Sequence, residues 1–121
     1  GTGGASQAVQ YALAERDIPF ALVSRDASKG NYTYDNLPCE VVEESRLIVN
    51  ASPVGTYPRV DDAPRIPYGY VTPEHYMLDL VYNPSLTQFL AYGQQCGAHV
   101  LNGRTMFVGQ AEAAWRIWNE R

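Results

Sequence analysis

The chain has 121 residues, 45% of them apolar, which suffices for one domain with its own core, and its net charge of -4 argues against a nucleic-acid surface, where clustered Lys and Arg displace counterions. Its apolar runs are too short to span a bilayer and no basic segment leads into an apolar one at the N-terminus, so neither membrane span nor signal peptide is expected and a cytoplasmic location is the default. Cys39 and Cys96 show neither metal-ligand spacing nor a C-x-x-C arrangement, which predicts reduced structural thiols and no metal site.

The chain opens on Gly1-Thr2-Gly3-Gly4-Ala5-Ser6, a glycine-rich turn that runs into apolar residues at helical spacing, Ala8, Val9, Ala12 and Leu13. Such a turn lets the backbone approach a ligand closely, and the free N–H groups of the first helical turn favour a phosphate. The helix is expected from Gly4 to about Arg16, stopped by Asp17-Ile18-Pro19. Phe20-Ala21-Leu22-Val23 is a short continuous apolar run, as expected of a buried parallel strand. It ends in the polar cluster Ser24 to Lys29.

Residues 30–38 are turn-rich, and 40–45 suit a short helix. Leu47-Ile48-Val49 reads as the next strand, followed by Asn50-Ala51-Ser52-Pro53-Val54-Gly55 and a long segment with Pro58, Pro64, Pro67 and Pro73. A loop of that length has a functional or packing reason, and Asp61 and Asp62 within it read as a solvated pair. Tyr76 to Val81 is the third strand, closed by Tyr82-Asn83-Pro84. Thr87 to Cys96 is a helix with Gly97 at its C-terminal cap, Ala98 to Leu101 a fourth strand, and Asn102-Gly103-Arg104-Thr105 leads into a last helix carrying Phe107, Ala111, Ala114, Trp115 and Trp118.

Alternating strands and helices argue for a parallel sheet covered on both faces, a Rossmann-like three-layer α/β/α fold. Ligands of such sheets bind beyond the carboxyl ends of the strands, where the clusters 24–29, 50–55, 82–84 and 102–105 all fall. The strand that should precede the glycine turn is missing from this sequence, so the chain reads as part of something longer. That strand is normally central, and the gap it leaves is expected to be filled by a partner chain or by residues outside this sequence.

A carboxylate at the end of the second strand would accept hydrogen bonds from the ribose hydroxyls of NAD, whereas the extra phosphate of NADP calls for a cation. The chain offers Arg25, with Lys29 nearby and hydroxyls on Ser24 and Ser28, which favours NADP over NAD. Asp26 either points away from the phosphate or weakens that preference.

Taken together, these segments resemble the C-terminal, NADP-binding domain of shikimate dehydrogenases over nearly the whole chain. The resemblance rests on Gly1 to Ser6, on Ser24 to Lys29, on Leu47 to Gly55, on Asp79-Leu80-Val81-Tyr82-Asn83-Pro84, and on Asn102 to Ala114. Asp26 stands where threonine is usual in the family, and Thr105 where a second glycine is common. The resemblance implies an oxidoreductase that interconverts 3-dehydroshikimate and shikimate in aromatic amino-acid biosynthesis. It places Gly1, Thr2, Gly3, Gly4 and Ala5 at the pyrophosphate, Ser24, Arg25, Asp26, Ser28 and Lys29 around the adenosine 2'-phosphate, Ala51, Ser52, Leu80 and Gly103 along the nicotinamide half, and Tyr82 and Gln110 at the substrate.

Hydride transfer must be matched by a proton at the substrate oxygen. The family uses a Lys and Asp pair of its N-terminal substrate domain, and here the sole lysine, Lys29, already belongs to the phosphate cluster. His75 and His99 are poor substitutes, the first at the wrong end of its strand and the second inside an apolar one. Residues 1–121 are therefore expected to form the cofactor domain, inactive alone, of an enzyme whose substrate domain is absent here and which is a possible homodimer. The alternatives are a quinate/shikimate dehydrogenase using NAD and a non-catalytic nucleotide-binding module.

Overall fold

The structure, a computed structural model, describes residues 4–103. Its elements in order are helix α1 (Gly4–Glu15), helix α2 (Cys39–Glu44), strand β1 (Leu47–Asn50), a 3-10 turn (Tyr68–Tyr70), strand β2 (Tyr76–Asp79), helix α3 (Gln88–Gln95) and strand β3 (His99–Leu101). The sheet runs β1-β2-β3, all parallel, with Leu47 opposite Tyr76 and Tyr76 opposite His99. This is the Rossmann-like α/β arrangement expected from the alternation of elements.

Central β2 is buried at every position, as a strand flanked on both sides and covered by helices must be. Met77 points into a cluster with Phe89 and Leu90 of α3, Val42 of α2, and Val71 and Ala98. Burying a side chain such as Phe89 or Leu90 stabilises the fold by roughly 1.5–3 kcal/mol. Helix α3 comes close because position 93 is glycine: a Cβ there would lie 2.5 Å from Met77 Sδ. Thr87 caps α3 by accepting a hydrogen bond from the Leu90 N–H, and Gly97 ends it at φ +84, the left-handed conformation for which glycine was expected.

The long segment between β1 and β2 has a packing role. Ile66 and Tyr68 lie against the core, the Tyr68 hydroxyl donates to the Pro64 carbonyl at 2.7 Å, and burial pushes its ionisation well above the usual phenol range. Asp61 and Asp62 are exposed, as read from the sequence. Buried His75 pins the entry to β2: Nδ1 accepts from the Thr72 N–H at 3.0 Å, which leaves Nε2 to donate to the Val42 carbonyl at 2.8 Å. His99 is exposed and stacks on Tyr76 at 4.6 Å. Cys39 and Cys96 are free thiols, and the Cys96 thiol donates to the Tyr68 carbonyl.

Three expectations need correction. Phe20 to Val23 is not a strand: only Val23 bridges, parallel, to Tyr32, and Phe20 is 43% exposed. The reason is local. The Leu22 carbonyl accepts from Asn31 and Tyr32 N–H while the Asn31 side chain accepts from Leu22 N–H, and no described strand lies along the other edge to extend a ladder. The third strand stops at Asp79 rather than Val81 because the Asp79 carboxylate takes the Val81 N–H. The last strand begins at His99, one residue later than expected. The expected last helix lies outside the described residues.

Between residues 18–23 and β1 runs an apolar cleft of about 460 Å³, lined by Leu13 of α1, Leu22, Val23, Leu47, Ile48 and Val49 among others. The Arg46 and Asn50 carbonyls accept from Tyr76 and Leu80 of the β2 side. Alternate residues of a parallel strand serve opposite neighbours, so Leu47 and Val49 turn their own N–H and C=O groups toward the cleft. No described segment fills it.

Candidate functional site

The carboxyl ends of β1, β2 and β3 are tied together by buried polar groups. Asp79 is fully buried, its hydrogen bonds among the described residues come from neutral donors, and burial raises its pKa against the pull of those bonds. Those bonds use both oxygens: Oδ1 accepts from Asn50 Nδ2 at 3.1 Å and from the Val81 N–H at 2.9 Å, and Oδ2 accepts from the Thr87 hydroxyl at 2.6 Å. A buried carboxylate persists only with such donors.

Asn50 passes the connection on. Its Oδ1 accepts from the Ser52 hydroxyl at 2.6 Å and the Ser52 N–H at 3.2 Å, its Nδ2 also donates to the Val54 carbonyl, and Ser52 Oγ accepts from the Val54 N–H. The loop after β1 is thus held to the end of β2 by side chains, which frees its backbone from regular structure without leaving it loose. Gly103 closes the group from β3. Its N–H donates to the Val81 carbonyl at 3.1 Å, and a Cβ at this position would overlap the Leu80 carbonyl, so only glycine fits.

Of the residues singled out in the sequence, Ser52, Leu80, Gly103 and Tyr82 are therefore brought to one end of the sheet, with Ala51 beside Ser52. Tyr82 is 62% exposed there. Gly4 and Ala5 form the exposed first turn of α1, which carries no acidic residue to compete with an anion. Gly1, Thr2, Gly3 and Gln110 lie outside the described residues.

The segment 24–29 forms a separate polar turn. Ser24 is buried, its N–H donates to the Tyr32 carbonyl, and its Oγ accepts from the Asp26 N–H at 3.2 Å. Asp26 Oδ1 accepts from the Ser28 hydroxyl at 2.7 Å and the Ser28 N–H at 2.9 Å, bonds that, with Lys29 nearby, hold its carboxyl below the usual range. Arg25, Asp26 and Lys29 are all exposed, and one oxygen of the Asp26 carboxylate is engaged by its own turn. The Ser28 hydroxyl is engaged by Asp26 rather than held open. Arg25 lies close enough to Tyr34 to favour its ionised form, although burial prevails and raises that phenol.

Asp79, Asn50 and Thr87 had not been singled out for a role. The available signal was a carboxylate inside the apolar run 76–81, which has to be either exposed or fully bonded.

A parallel α/β sheet with polar loops gathered at its strand ends defines a Rossmann-like domain, a fold whose ligands bind beyond those ends. No family model matches the chain. A shikimate dehydrogenase (NADP(+)) of Desulforamulus reducens is 33% identical over 98% of the chain and 47% of its own length, and one of Crocosphaera subtropica is 36% identical over 98% of the chain and 48% of its own length. Among solved structures, the Thermus thermophilus shikimate 5-dehydrogenase in complex with NADP(H) and shikimate superposes with a TM-score of 0.75 at 30% identity, covering all of this chain and 48% of that one. A quinate dehydrogenase of Corynebacterium glutamicum in complex with NAD matches at TM-score 0.75 but 23% identity, which speaks for the fold alone. The chain belongs with the shikimate dehydrogenases, as the counterpart of their C-terminal cofactor domain. It spans about half the length of the curated relatives it matches.

Proposed function

We propose that this chain is the NADP-binding half of a shikimate dehydrogenase that interconverts 3-dehydroshikimate and shikimate. The observation that carries the cofactor reading is the 24–29 turn: it exposes Arg25 and Lys29 while its one carboxylate, Asp26, is bonded to Ser28. Two exposed cations, beside a single carboxylate with one oxygen already engaged by Ser28, suit a phosphate better than a ribose diol, which favours NADP over NAD.

The residues present fit the cofactor. Arg25 and Lys29 would hold the 2'-phosphate, with Ser24 and Asp26 shaping the turn beneath it. Gly1 to Ala5 would meet the pyrophosphate, and Ala51, Ser52, Leu80 and Gly103 would lie along the nicotinamide half, where the missing Cβ of Gly103 lets it sit against the Leu80 backbone. Bound NADPH supplies hydride chemistry. Tyr82 and Gln110 would hydrogen-bond the polyhydroxylated substrate.

The proton has to come from elsewhere, because Lys29 is the only lysine and sits in the phosphate turn. A substrate-binding half carrying a Lys and Asp pair completes the enzyme in this reading. The cleft beside β1 supports it: its apolar walls and the Leu47 and Val49 backbone suit one more parallel strand of the same sheet. A cytoplasmic location and a homodimer accord with this function. No helix of the described residues is long and apolar enough to cross a membrane.

The test is NADP-linked oxidation of shikimate by the intact protein. Turnover with NADP and shikimate is expected, and none by residues 1–121 alone. Tight NADP binding without turnover of shikimate or quinate would instead identify a nucleotide-binding module.

A further inference from the structure

We propose that Asp79 is a positioning residue for the nicotinamide end of the cofactor, acting by clamping the loop after β1 to the loop after β2. The inference rests on the NADP reading above and extends it to a side chain that touches neither cofactor nor substrate.

Asp79 is fully buried, so it cannot meet a ligand, yet its carboxylate is the one group that reaches all three neighbours. Through Asn50 it sets Ser52, since the Asn50 amide donates to Asp79 with one end and accepts from the Ser52 hydroxyl and N–H with the other. Through the Val81 N–H it fixes the turn between Leu80 and Tyr82. That same turn receives Gly103, whose N–H donates to the Val81 carbonyl. Through the Thr87 hydroxyl it fixes the start of α3, where the Thr87 oxygen also accepts from the otherwise free Leu90 N–H.

The 24–29 turn stands apart from this clamp. It is stabilised by Tyr32 and by its own Ser24 and Asp26, and no hydrogen bond among the described residues joins it to Asp79 or Asn50. Loss of the clamp therefore disturbs one end of an extended dinucleotide and spares the other. A residue that merely supported folding would not separate the two ends.

The experiment measures binding of NADP+ and of 2',5'-ADP, which carries the adenosine phosphates but no nicotinamide, to the intact protein. For D79L the dissociation constant for NADP+ is expected to rise at least about tenfold, with less than about threefold change for 2',5'-ADP, as loss of several hydrogen bonds to one charged group warrants. D79N is expected to restore NADP+ binding to within about threefold, because its Oδ1 can still accept from Asn50 and Val81 while its amide donates to Thr87 Oγ1. Equal losses for both ligands, or no loss for either, would overturn the inference. If D79L does not fold, N50A carries the same expectation, since it cuts the path to Ser52 and leaves Asp79 its Val81 and Thr87 donors; parallel losses there overturn the inference as well. Wild-type protein that binds neither ligand would overturn the NADP reading itself, and this inference with it.

Discussion

The Thr87 hydroxyl donates a 2.6 Å hydrogen bond to the buried carboxylate of Asp79 and accepts from the Leu90 N–H at 3.3 Å, so one oxygen joins the end of β2 to the start of α3. The same side chain that caps the helix completes the shell of the carboxylate, which makes the two elements depend on one another.

Thr87→Val keeps the shape and deletes both bonds. It removes the cap, worth about 1 kcal/mol, and leaves a buried carboxylate oxygen short of a donor, worth about 1–3 kcal/mol, so a total loss of about 2–4 kcal/mol is expected. Thr87→Ser keeps the hydroxyl and is expected to lose less than about 1 kcal/mol. Urea denaturation of the three proteins at pH 7 checks the order, and equal stability of the Val and wild-type forms would contradict it.

The pKa of Asp79 is raised above its ordinary value of 3.8, chiefly by burial. A raised native pKa means that the folded state binds the proton more tightly than the unfolded one. The stability linked to this group is fully present below the unfolded value and is lost as pH rises through the native value. Asp79→Asn abolishes this dependence. Wild type is therefore expected to gain stability relative to D79N as pH falls from neutrality toward 3.8, read from melting temperatures measured side by side in the same buffers. A difference that is flat, or of opposite slope, would contradict the assignment.

Arg25→Ala tests the phosphate turn. Arg25 is exposed, and if it grips the 2'-phosphate as proposed, charge-assisted bidentate contacts support an expected rise in the NADP+ dissociation constant of about tenfold or more. NAD+ lacks the phosphate and should change little. Titration of both nucleotides against wild type and R25A separates the cases, and equal losses would remove the basis for preferring NADP.

Gly103→Ala places a methyl group on the Leu80 carbonyl. Backbone cannot swing aside as a flexible side chain can, so a cost of about 1–3 kcal/mol is expected, together with weaker NADP+ binding as the Leu80 and Val81 backbone shifts. Gly4→Ala is the control: a Cβ there meets nothing within 4 Å, and stability should be unchanged or slightly raised. Thermal melts of the two variants give the comparison, which fails if G4A is the more damaging.

Much of this fold was legible in the order of residues. The first helix, the Leu47 strand, the Tyr76 strand, the helix after Thr87 and the role of Gly97 all follow from local periodicity and from glycine and proline signals, because a helix face, a buried strand and a left-handed cap are each specified within a few neighbours. Phe20 to Val23 was misread for the converse reason. An apolar run becomes a strand only when a neighbour supplies its ladder, and the bonds that Leu22 makes go to Asn31 and Tyr32 of the adjoining turn.

The sequence alone also determined which kinds of group follow each apolar run: Arg25 and Lys29 after the first, Ser52 after the second, Tyr82 after the third, Gly103 after the fourth. Tertiary structure decided what those groups do to one another. It bonded Asp26 to Ser28, and it made Asp79 the meeting point of Asn50, Val81 and Thr87. Residues 29 and 8 positions apart share a carboxylate only once the strands are paired and the helix is seated, and the strength of such contacts depends on a burial that no local pattern encodes.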